Sequence, residues 1–248
     1  MKKYFIVADV HGFYDEMMEA LNKKGFDINN PDHIFVSLGD LLDRGEQPFE
    51  CLDFVLSLPE DRKILIVGNH ELLMKEMISR GVPLMHDIHN GTYRTAEILS
   101  GGDYDDTVMG GMKNCQVWKD YLAQCQFYYE LGDNIFVHGW IPCHSYSNSW
   151  MDYHDYNPLW RNSSARDWKE ATWYNGMKVW SDGVKEPGKT IWCGHWHTSW
   201  GHSIINKECS EFGEDAIFTP FKAEGICAMD ACTVHSHFVN CEVIEYEN

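Results

Sequence analysis

Residues 39–45 read Gly-Asp-Leu-Leu-Asp-Arg-Gly and directly follow the apolar run His-Ile-Phe-Val-Ser-Leu of residues 33–38. The run predicts a buried strand, and the glycine at its end predicts a turn into a loop with two carboxylates and a guanidinium. Burying any of these charges without a partner would cost on the order of several kcal/mol, so the loop needs counter-charges nearby. Taken alone, the stretch equally fits a polar turn with a surface pair between Asp43 and Arg44.

The composition is that of a globular, acidic chain. It has 248 residues, 44% of them hydrophobic and 14% aromatic, and a formal net charge of -18. This length is enough for one large domain that buries its own core. The negative charge argues against a non-specific grip on a nucleic-acid backbone, so we expect no binding to DNA or RNA. Phosphate chemistry remains open, because bound metal ions can reverse the local field.

Two further features bear on the compartment of the chain. No apolar run is long enough to span a bilayer, and Met1-Lys2-Lys3 leads into a short strand without a signal peptide. The nine cysteines include no C-x-x-C pair, which is typical of reduced thiols rather than of a disulfide framework. We therefore expect a cytoplasmic protein with no membrane partner.

The first hundred residues repeat one pattern three times: a short apolar run, a polar cluster and a helical pattern. The apolar runs at 4–8, 33–38 and 63–67 predict buried strands. This β-α-β-α-β order predicts parallel strands with right-handed connections. The three polar clusters then fall at the carboxyl ends of neighbouring strands, where ligands bind in open α/β sheets.

These clusters hold side chains that bind metal ions in hydrolytic sites. They read Asp9-Val10-His11-Gly12, Gly39-Asp40-Leu41-Leu42-Asp43-Arg44-Gly45 and Gly68-Asn69-His70-Glu71. Oxygen and imidazole donors without thiolates suit Mn²⁺, Fe or Zn²⁺ in a catalytic site rather than a structural zinc. Asp40 can share its two oxygens between two ions. Taken alone, Asp9 and His11 equally fit a surface loop, and Glu71 equally fits a carboxylate that complements a helix dipole.

In this order and spacing, D-x-H-G, G-D-x-x-D-R-G and G-N-H-E resemble the motifs of the calcineurin-like metallophosphoesterases. The Asp-Arg pair in the second motif resembles the motif of one branch of this family. That branch contains the serine/threonine phosphoprotein phosphatases, the bacteriophage-type phosphatases and the symmetrical diadenosine tetraphosphatases. The resemblance implies a four-layer α/β/β/α sandwich of two mixed sheets flanked by helices, in a single domain over residues 1–248. Variable segments would lie at about 72–132 and 143–185. The residues alone predict only an α/β fold with a parallel first half.

The resemblance also implies two divalent metal ions, Mn, Fe or Zn, bound by side chains from both halves of the chain. The implied ligands are Asp9, His11, Asp40, Asn69, His138, His195 and His197. Asp40 would bridge the two ions. The three later histidines follow the apolar runs 135–137 and 190–193, which predict further strands delivering His-Gly and Gly-His-Trp-His to the same site.

Metal-assisted hydrolysis of a phosphomonoester is the implied reaction. His70, oriented by Asp43, would act on the leaving group. Arg44 would hold the phosphate, with Asn69 also in the substrate site. Arg161, in the segment Pro-Leu-Trp-Arg, resembles the family's L-W segment and would supply a second phosphate clamp, since bidentate arginines suit the geometry of a phosphoryl group.

Three other segments carry weaker signals. Residues 143–182 are rich in aromatic side chains: Tyr146, Trp150, Tyr153, Tyr156, Trp160, Trp168, Trp173, Tyr174 and Trp180. We favour packing of an insert over a platform that stacks a nucleobase. Residues 90–95 resemble a segment found near the substrate in related enzymes. Residues 225–232 and 238–245 predict a closing hairpin, in which Asp230 would be structural.

The substrate stays open between a phosphorylated protein and a nucleotide. We favour an enzyme like the serine/threonine protein phosphatases, with hydrolysis of dinucleoside polyphosphates such as diadenosine tetraphosphate as the alternative. A groove would favour the protein, and an aromatic-lined pocket the nucleotide. Outside the enzymes, the chain could be a catalytically silent metal-binding scaffold, but a scaffold would not need Asp43, Arg44 and His70.

Overall fold

The structure, a computed structural model, describes residues 1–147 and 152–247, so Trp150 of the aromatic segment lies outside the described residues. The strands are β1 Lys2–Val7, β2 His33–Ser37, β3 Lys63–Ile66, β4 Cys125–Gln126, β5 Tyr128–Leu131, β6 Asn134–Val137, β7 His144–Ser147, β8 Asp152–Asp155, β9 Thr190–Cys193, β10 Phe221–Ala223, β11 Ile226–Ala228 and β12 Cys241–Tyr246.

The α-helices alternate with the strands in the first third of the chain and flank the sheets thereafter. They are α1 Tyr14–Lys24, α2 Pro48–Ser57, α3 Asn69–Arg80, α4 Met85–His89, α5 Thr92–Ser100, α6 Asp105–Asn114, α7 Gln116–Gln124, α8 Ala165–Ala171, α9 Gly176–Ser181, α10 Thr198–Trp200 and α11 Thr233–Ser236. Short 3₁₀ helices span Glu60–Arg62 and Trp160–Asn162, and a π-helical turn spans Gly201–Ile205. Among these helices, none is both long and apolar enough to cross a membrane.

Two mixed sheets, each of five strands in the described residues, form the centre of the fold. The first has the order β12-β1-β2-β3-β4, in which β1 to β4 run parallel and β12 runs antiparallel to β1. The second has the order β10-β11-β9-β6-β5, with parallel pairs at its centre and antiparallel pairs at both edges. The predicted parallel first half is confirmed, and the parallel strands bring their carboxyl ends together.

Three apolar layers separate the sheets and the helices. On β1, Tyr4 and Ile6 face the second sheet, while Phe5 and Val7 face the helices α1 to α3 and α5 to α7. The second sheet alternates in the same way: Phe136 faces the first sheet, whereas its neighbours on β6 pack against α8 and α9. The order helix, sheet, sheet, helix is the predicted α/β/β/α sandwich.

The predicted hairpin over residues 225–245 is wrong. β11 lies in the second sheet between β10 and β9, whereas β12 pairs with β1 in the first sheet. Asn240 fixes the crossing between the sheets, because its side-chain amide donates to the carbonyls of Phe218 and Met229. Two short apolar runs close in sequence predict strands, but their pattern does not say which sheet each one joins.

Most described aromatic side chains of the segment 143–182 pack, which agrees with the interpretation we favoured. Trp160 and Trp168 are buried, with ring centroids 5.1 and 4.9 Å from that of Tyr128 on the edge strand β5. Tyr146 and Tyr153 are 47% and 43% exposed, and their rings stack on each other with centroids 4.9 Å apart. Trp173 is exposed as well. Its side chain is 45% exposed, and it lies at the cleft described below.

Candidate metal centre and active site

A cleft of about 330 Å³ opens where the loops after β1, β2, β3 and β9 meet. Of the predicted site residues, those that line it are His11, Asp40, Arg44, Asn69, His70, His195 and His197. Asp9, Asp43 and His138 are buried and bonded to members of this group or placed beside them. The prediction that distant loops converge at one sheet edge therefore describes the structure well.

The backbone of these loops is strained in a way that aims the side chains into the cleft. Positive φ angles occur at Asp9 (50°), His11 (53°), Asp40 (51°), Asp43 (74°), Arg44 (68°) and His195 (66°). Residues other than glycine rarely adopt this region, and each instance costs on the order of 1–3 kcal/mol. Bonds between the loops hold the conformation: the amides of His11 and Gly12 donate to the carbonyls of Asp40 and Leu41.

Two glycines make room for the buried carboxylates. A Cβ atom at Gly68 would lie 2.0 Å from Oδ1 of Asp40, and one at Gly194 would lie 2.0 Å from Oδ2 of Asp9. Such contacts are impossible for any side chain. The glycines of G-N-H-E and G-H-W-H are thus explained by the close approach of a carboxylate.

One candidate ligand group consists of His11, Asp40 and His70, whose ligand atoms lie within 4.8 Å of one another. Nδ1 of His11 donates to the carbonyl of Leu42 over 3.1 Å, which leaves Nε2 unprotonated and 3.9 Å from Oδ2 of Asp40. Burial, together with the charge of His70, lowers the pKa of His11 well below its usual range. A neutral imidazole beside a carboxylate suits a divalent ion.

The other candidate group consists of Asp40, His138 and His195, so Asp40 belongs to both. Nδ1 of His138 donates to the carbonyl of Leu38 over 2.8 Å, and Nε2 lies 2.8 Å from Oδ1 of Asn69 and 3.4 Å from Asp40. Burial lowers the pKa of His138, but the carboxylate of Asp40 outweighs it and raises the pKa above its usual value, so a positive charge at Nε2 is stabilised there. A cation would stabilise this arrangement, and the residues therefore fit a metal ion.

Asp9 lies outside both groups, and both of its carboxylate oxygens accept the backbone N–H of His195, over 2.9 and 3.0 Å. Burial and the carboxylates of Asp230 and Asp40 raise the pKa of Asp9 well above its usual range. Asp230 also lines the cleft, and burial raises its pKa to about 6. Sequence reasoning assigns Asp230 a structural role, since nothing in its local pattern connects it with a loop more than two hundred residues away. These crowded carboxylates are a further reason to expect cations.

His70, which belongs to the first ligand group, also contacts Asp43 and Arg44 at the same cleft. Nδ1 of His70 donates to Oδ2 of Asp43 over 2.7 Å, and Nη2 of Arg44 lies 3.4 Å from Nε2 of His70. Burial lowers the pKa of His70, but the carboxylates of Asp40 and Asp43 outweigh it and raise the pKa above its usual value. Because a guanidinium offers only donors, Nε2 of His70 is the acceptor in its contact with Arg44.

Besides Asp9, the predicted residues Arg161 and His197 belong to neither ligand group. Arg161 does not line the cleft: its guanidinium donates to both oxygens of Glu130, over 2.6 and 2.8 Å, and to Glu186 over 2.9 Å. Contrary to the predicted second phosphate clamp, Arg161 is committed to structural ion pairs. His197 lines the cleft, but its ring nitrogens contact Ser199 (2.8 Å) and Glu211 (3.2 Å), and it belongs to neither ligand group.

Two tryptophans line the cleft next to His195. Trp173 and Trp196 are 45% and 37% exposed, with ring centroids 5.7 and 6.0 Å from that of His195. Trp196 stands within the motif G-H-W-H, but nothing in that motif indicates that its ring lies at the surface. The ring of Trp196 also stacks on that of His197, with centroids 6.1 Å apart.

Comparison with known proteins identifies the family. A sequence model of the calcineurin-like phosphoesterases matches residues 2–222. The chain belongs to this family. The resemblance drawn from the three motifs is therefore confirmed, and so, at the level of the family, is the predicted class of metal-dependent phosphoric ester hydrolases.

Individual relatives match shorter parts of the chain. The symmetrical bis(5'-nucleosyl)-tetraphosphatase of Buchnera aphidicola is 42% identical over 72 residues, 29% of this chain and 24% of that protein. The asymmetrical bis(5'-nucleosyl)-tetraphosphatase PrpE of Bacillus subtilis is 34% identical over 103 residues, 38% of this chain and 42% of that protein. The chain thus spans less than half the length of these relatives.

The fold itself is similar to solved structures. A protein serine/threonine phosphatase from Saccharomyces cerevisiae aligns with a TM-score of 0.51 at 12% identity, covering 100% of this chain and 81% of that one. At this identity the likeness concerns the fold, and it agrees with the sandwich described above.

Proposed function

We propose that this chain hydrolyses phosphoric esters at a site that binds two divalent metal ions. The proposed ligands are Asp9, His11, Asp40, Asn69, His138 and His195. The observation that carries the proposal is that two ligand groups share Asp40 and adjoin the dyad of His70 and Asp43. A metal-binding scaffold without catalysis would need the two ligand groups but not the dyad of His70 and Asp43.

The chain's own residues account for the remaining steps. Bound divalent ions supply Lewis-acid activation of the phosphoryl group and of water. Arg44 binds phosphate oxygens and stabilises the charge that develops on them. His70 donates the proton on Nε2 to the departing oxygen, while Asp43 accepts the bond from Nδ1 and keeps the ring in that orientation.

For the substrate, we favour the phosphoanhydride bond of a nucleoside polyphosphate over the phosphomonoester of a phosphoprotein, in contrast to the preference drawn from the sequence. Trp173 and Trp196 border the cleft with exposed indole rings, and base stacking on such rings contributes roughly 1–3 kcal/mol per base. The names of the curated relatives, which are bis(5'-nucleosyl)-tetraphosphatases, support the same choice.

A phosphoprotein remains the second candidate, and one observation favours it. Val82, Leu84, Met85 and Ile88 are exposed on the segment that leads to Asn90, which lines the cleft. These exposed apolar side chains offer a surface for the residues that flank a phosphorylated side chain.

The test compares kcat/KM of the Mn²⁺-loaded protein on diadenosine tetraphosphate and on a phosphothreonine peptide, with the products separated by chromatography. The proposal predicts preference for the dinucleotide; ADP alone would indicate symmetrical cleavage, and AMP with ATP asymmetrical cleavage. Trp173→Ala should raise KM for the dinucleotide about tenfold. Tyr104→Ala, which removes an aromatic ring that is 64% exposed, should leave it unchanged. Preference for the peptide, with no effect of Trp173→Ala, would reject the nucleotide.

A further inference from the structure

The hydroxyl of Thr92 reaches the catalytic dyad from a segment outside the three motifs. Thr92 is the first residue of α5 and is fully buried. Its Oγ1 donates to Oδ2 of Asp43 over 2.6 Å. The same carboxylate oxygen accepts the bond from Nδ1 of His70 over 2.7 Å. Two donors therefore converge on one oxygen of Asp43.

The other oxygen of this carboxylate, Oδ1, accepts no hydrogen bond from the described residues. Oδ1 of Asp43 is buried and has no hydrogen-bond partner within residues 1–147 and 152–247. Among these residues the carboxylate is thus held through Oδ2 alone, by His70 and Thr92. Without the Thr92 hydroxyl, only the hydrogen bond from His70 would restrict rotation of the Asp43 carboxylate.

The neighbouring glycine explains how α5 comes close enough. Gly91 has a φ of +81°, and a Cβ atom there would lie 2.5 Å from the backbone nitrogen of Arg44. The beginning of α5 therefore packs directly on the loop that carries Asp43 and Arg44. This contact sets the Thr92 hydroxyl against Asp43 across 49 positions of sequence.

We propose that Thr92 is a positioning residue: its hydroxyl fixes the carboxylate of Asp43, which in turn orients His70 toward the leaving group. The inference rests on the proposed function, because it concerns the proposed proton donor of that reaction. Losing a partner that orients a functional side chain typically costs about 10-fold to 100-fold. The loss should appear in kcat rather than in KM, since Thr92 is not among the residues that line the cleft.

Thr92→Val, Thr92→Ser and the control Thr95→Val test the inference. Thr95 is a buried threonine of the same helix whose hydroxyl has no hydrogen-bond partner in the described residues, so Thr95→Val removes a hydroxyl without removing a bond. Each Mn²⁺-loaded protein is assayed on phenyl phosphate, a poor leaving group, and on p-nitrophenyl phosphate, a good one. Thr92→Val should lower kcat on phenyl phosphate about 10-fold or more and much less on p-nitrophenyl phosphate. Thr92→Ser, which keeps the hydroxyl, should restore kcat on phenyl phosphate.

The outcomes separate this inference from the proposed function. A wild-type protein that turns over neither of these esters nor diadenosine tetraphosphate would overturn both. An active wild type in which Thr92→Val behaves like Thr95→Val, or is not rescued by serine, would overturn the inference alone. A second measurement does not depend on turnover: the ¹H NMR signal of the His70 Nδ1 proton should shift in Thr92→Val and stay in place in Thr95→Val, and equal spectra would also reject the inference.

Discussion

The side-chain carboxylate of Glu71 binds the backbone N–H of Asp40 and so holds the loop after β2. Oε2 of Glu71 accepts the N–H of Asp40 over 3.0 Å and that of Gly68 over 2.8 Å. Oε1 accepts the N–H of Leu41 over 3.0 Å and the hydroxyl of Tyr121 over 3.2 Å. This buried carboxylate thereby joins the loops after β2 and β3, which carry the shared metal ligand and the proposed acid.

We predict that Glu71→Gln lowers the free energy of unfolding by about 3 kcal/mol, because an NH₂ group would face backbone donors and leave them buried without acceptors. Urea denaturation measures this loss. Tyr121→Phe removes one bond to the same carboxylate and should cost about 1 kcal/mol. Equal losses in the two variants would contradict the role assigned to Glu71.

Gly194→Ala should reduce the metal content of the protein, since the new methyl group would meet Oδ2 of Asp9 at 2.0 Å and displace that carboxylate or the loop of His195. Gly110 provides the control. It lies within α6, and a Cβ atom there would have no neighbour within 4 Å, so Gly110→Ala should retain the ions and stabilise the fold by up to about 1 kcal/mol. Elemental analysis after dialysis against Mn²⁺ distinguishes the two. Unchanged metal content in Gly194→Ala would show that Asp9 tolerates displacement.

His70→Ala should lower kcat on phenyl phosphate by about 10²–10⁴ while the protein keeps its ions, because it removes the proton donor and not a proposed ligand. The loss should be smaller on p-nitrophenyl phosphate, whose leaving group needs no proton. Steady-state rates and metal content are measured on the same sample. A variant that loses its ions would instead make His70 a ligand, as its membership of the first candidate group allows.

Arg161→Met should weaken the fold in a pH-dependent manner. The hydrogen bonds from Arg161 lower the pKa of Glu130. A carboxylate with a lowered pKa in the folded state adds stability above its unfolded pKa and loses it as the pH falls through the folded value. The difference in unfolding free energy from wild type should therefore be largest near pH 7 and shrink below about pH 4.

Arg166, an exposed arginine on α8, provides the charge-matched control for Arg161. Urea denaturation of Arg166→Met across the same pH range should follow wild type. A constant difference for Arg161→Met at every pH would mean that Arg161 contributes packing on Trp160 rather than ion pairs.

The sequence predicts the parts of this site that follow from local pattern. Apolar runs that end in Asp-x-His, Gly-Asp and Gly-Asn-His locate Asp9, Asp40 and Asn69 at strand ends, because parallel strands bring those ends to one edge. The second sheet came only from the family resemblance. Its strands are short, and nothing in their periodicity separates β11 from β12.

What the sequence could not predict depends on contacts between distant residues. The sequence around Glu71 fits a helix-dipole carboxylate as well as a functional residue, and its bonds to the β2 loop have no local signal. Thr92 reaches Asp43 across a turn whose geometry depends on Gly91. Arg161 was misplaced for the converse reason. A motif resemblance assigned it to the phosphate, while two acidic residues elsewhere in the chain occupy its donors.

In the proposed reaction, the chain binds two ions through a shared Asp40 and needs them to cleave phosphoric esters. The most direct test strips the protein with a chelator, restores Mn²⁺, and measures ions per chain together with the rate on p-nitrophenyl phosphate, for wild type and Asp40→Asn. We predict two ions and restored turnover for wild type, with loss of both in the variant. Turnover that survives in the stripped protein, or Asp40→Asn with two ions and full activity, would contradict this proposal.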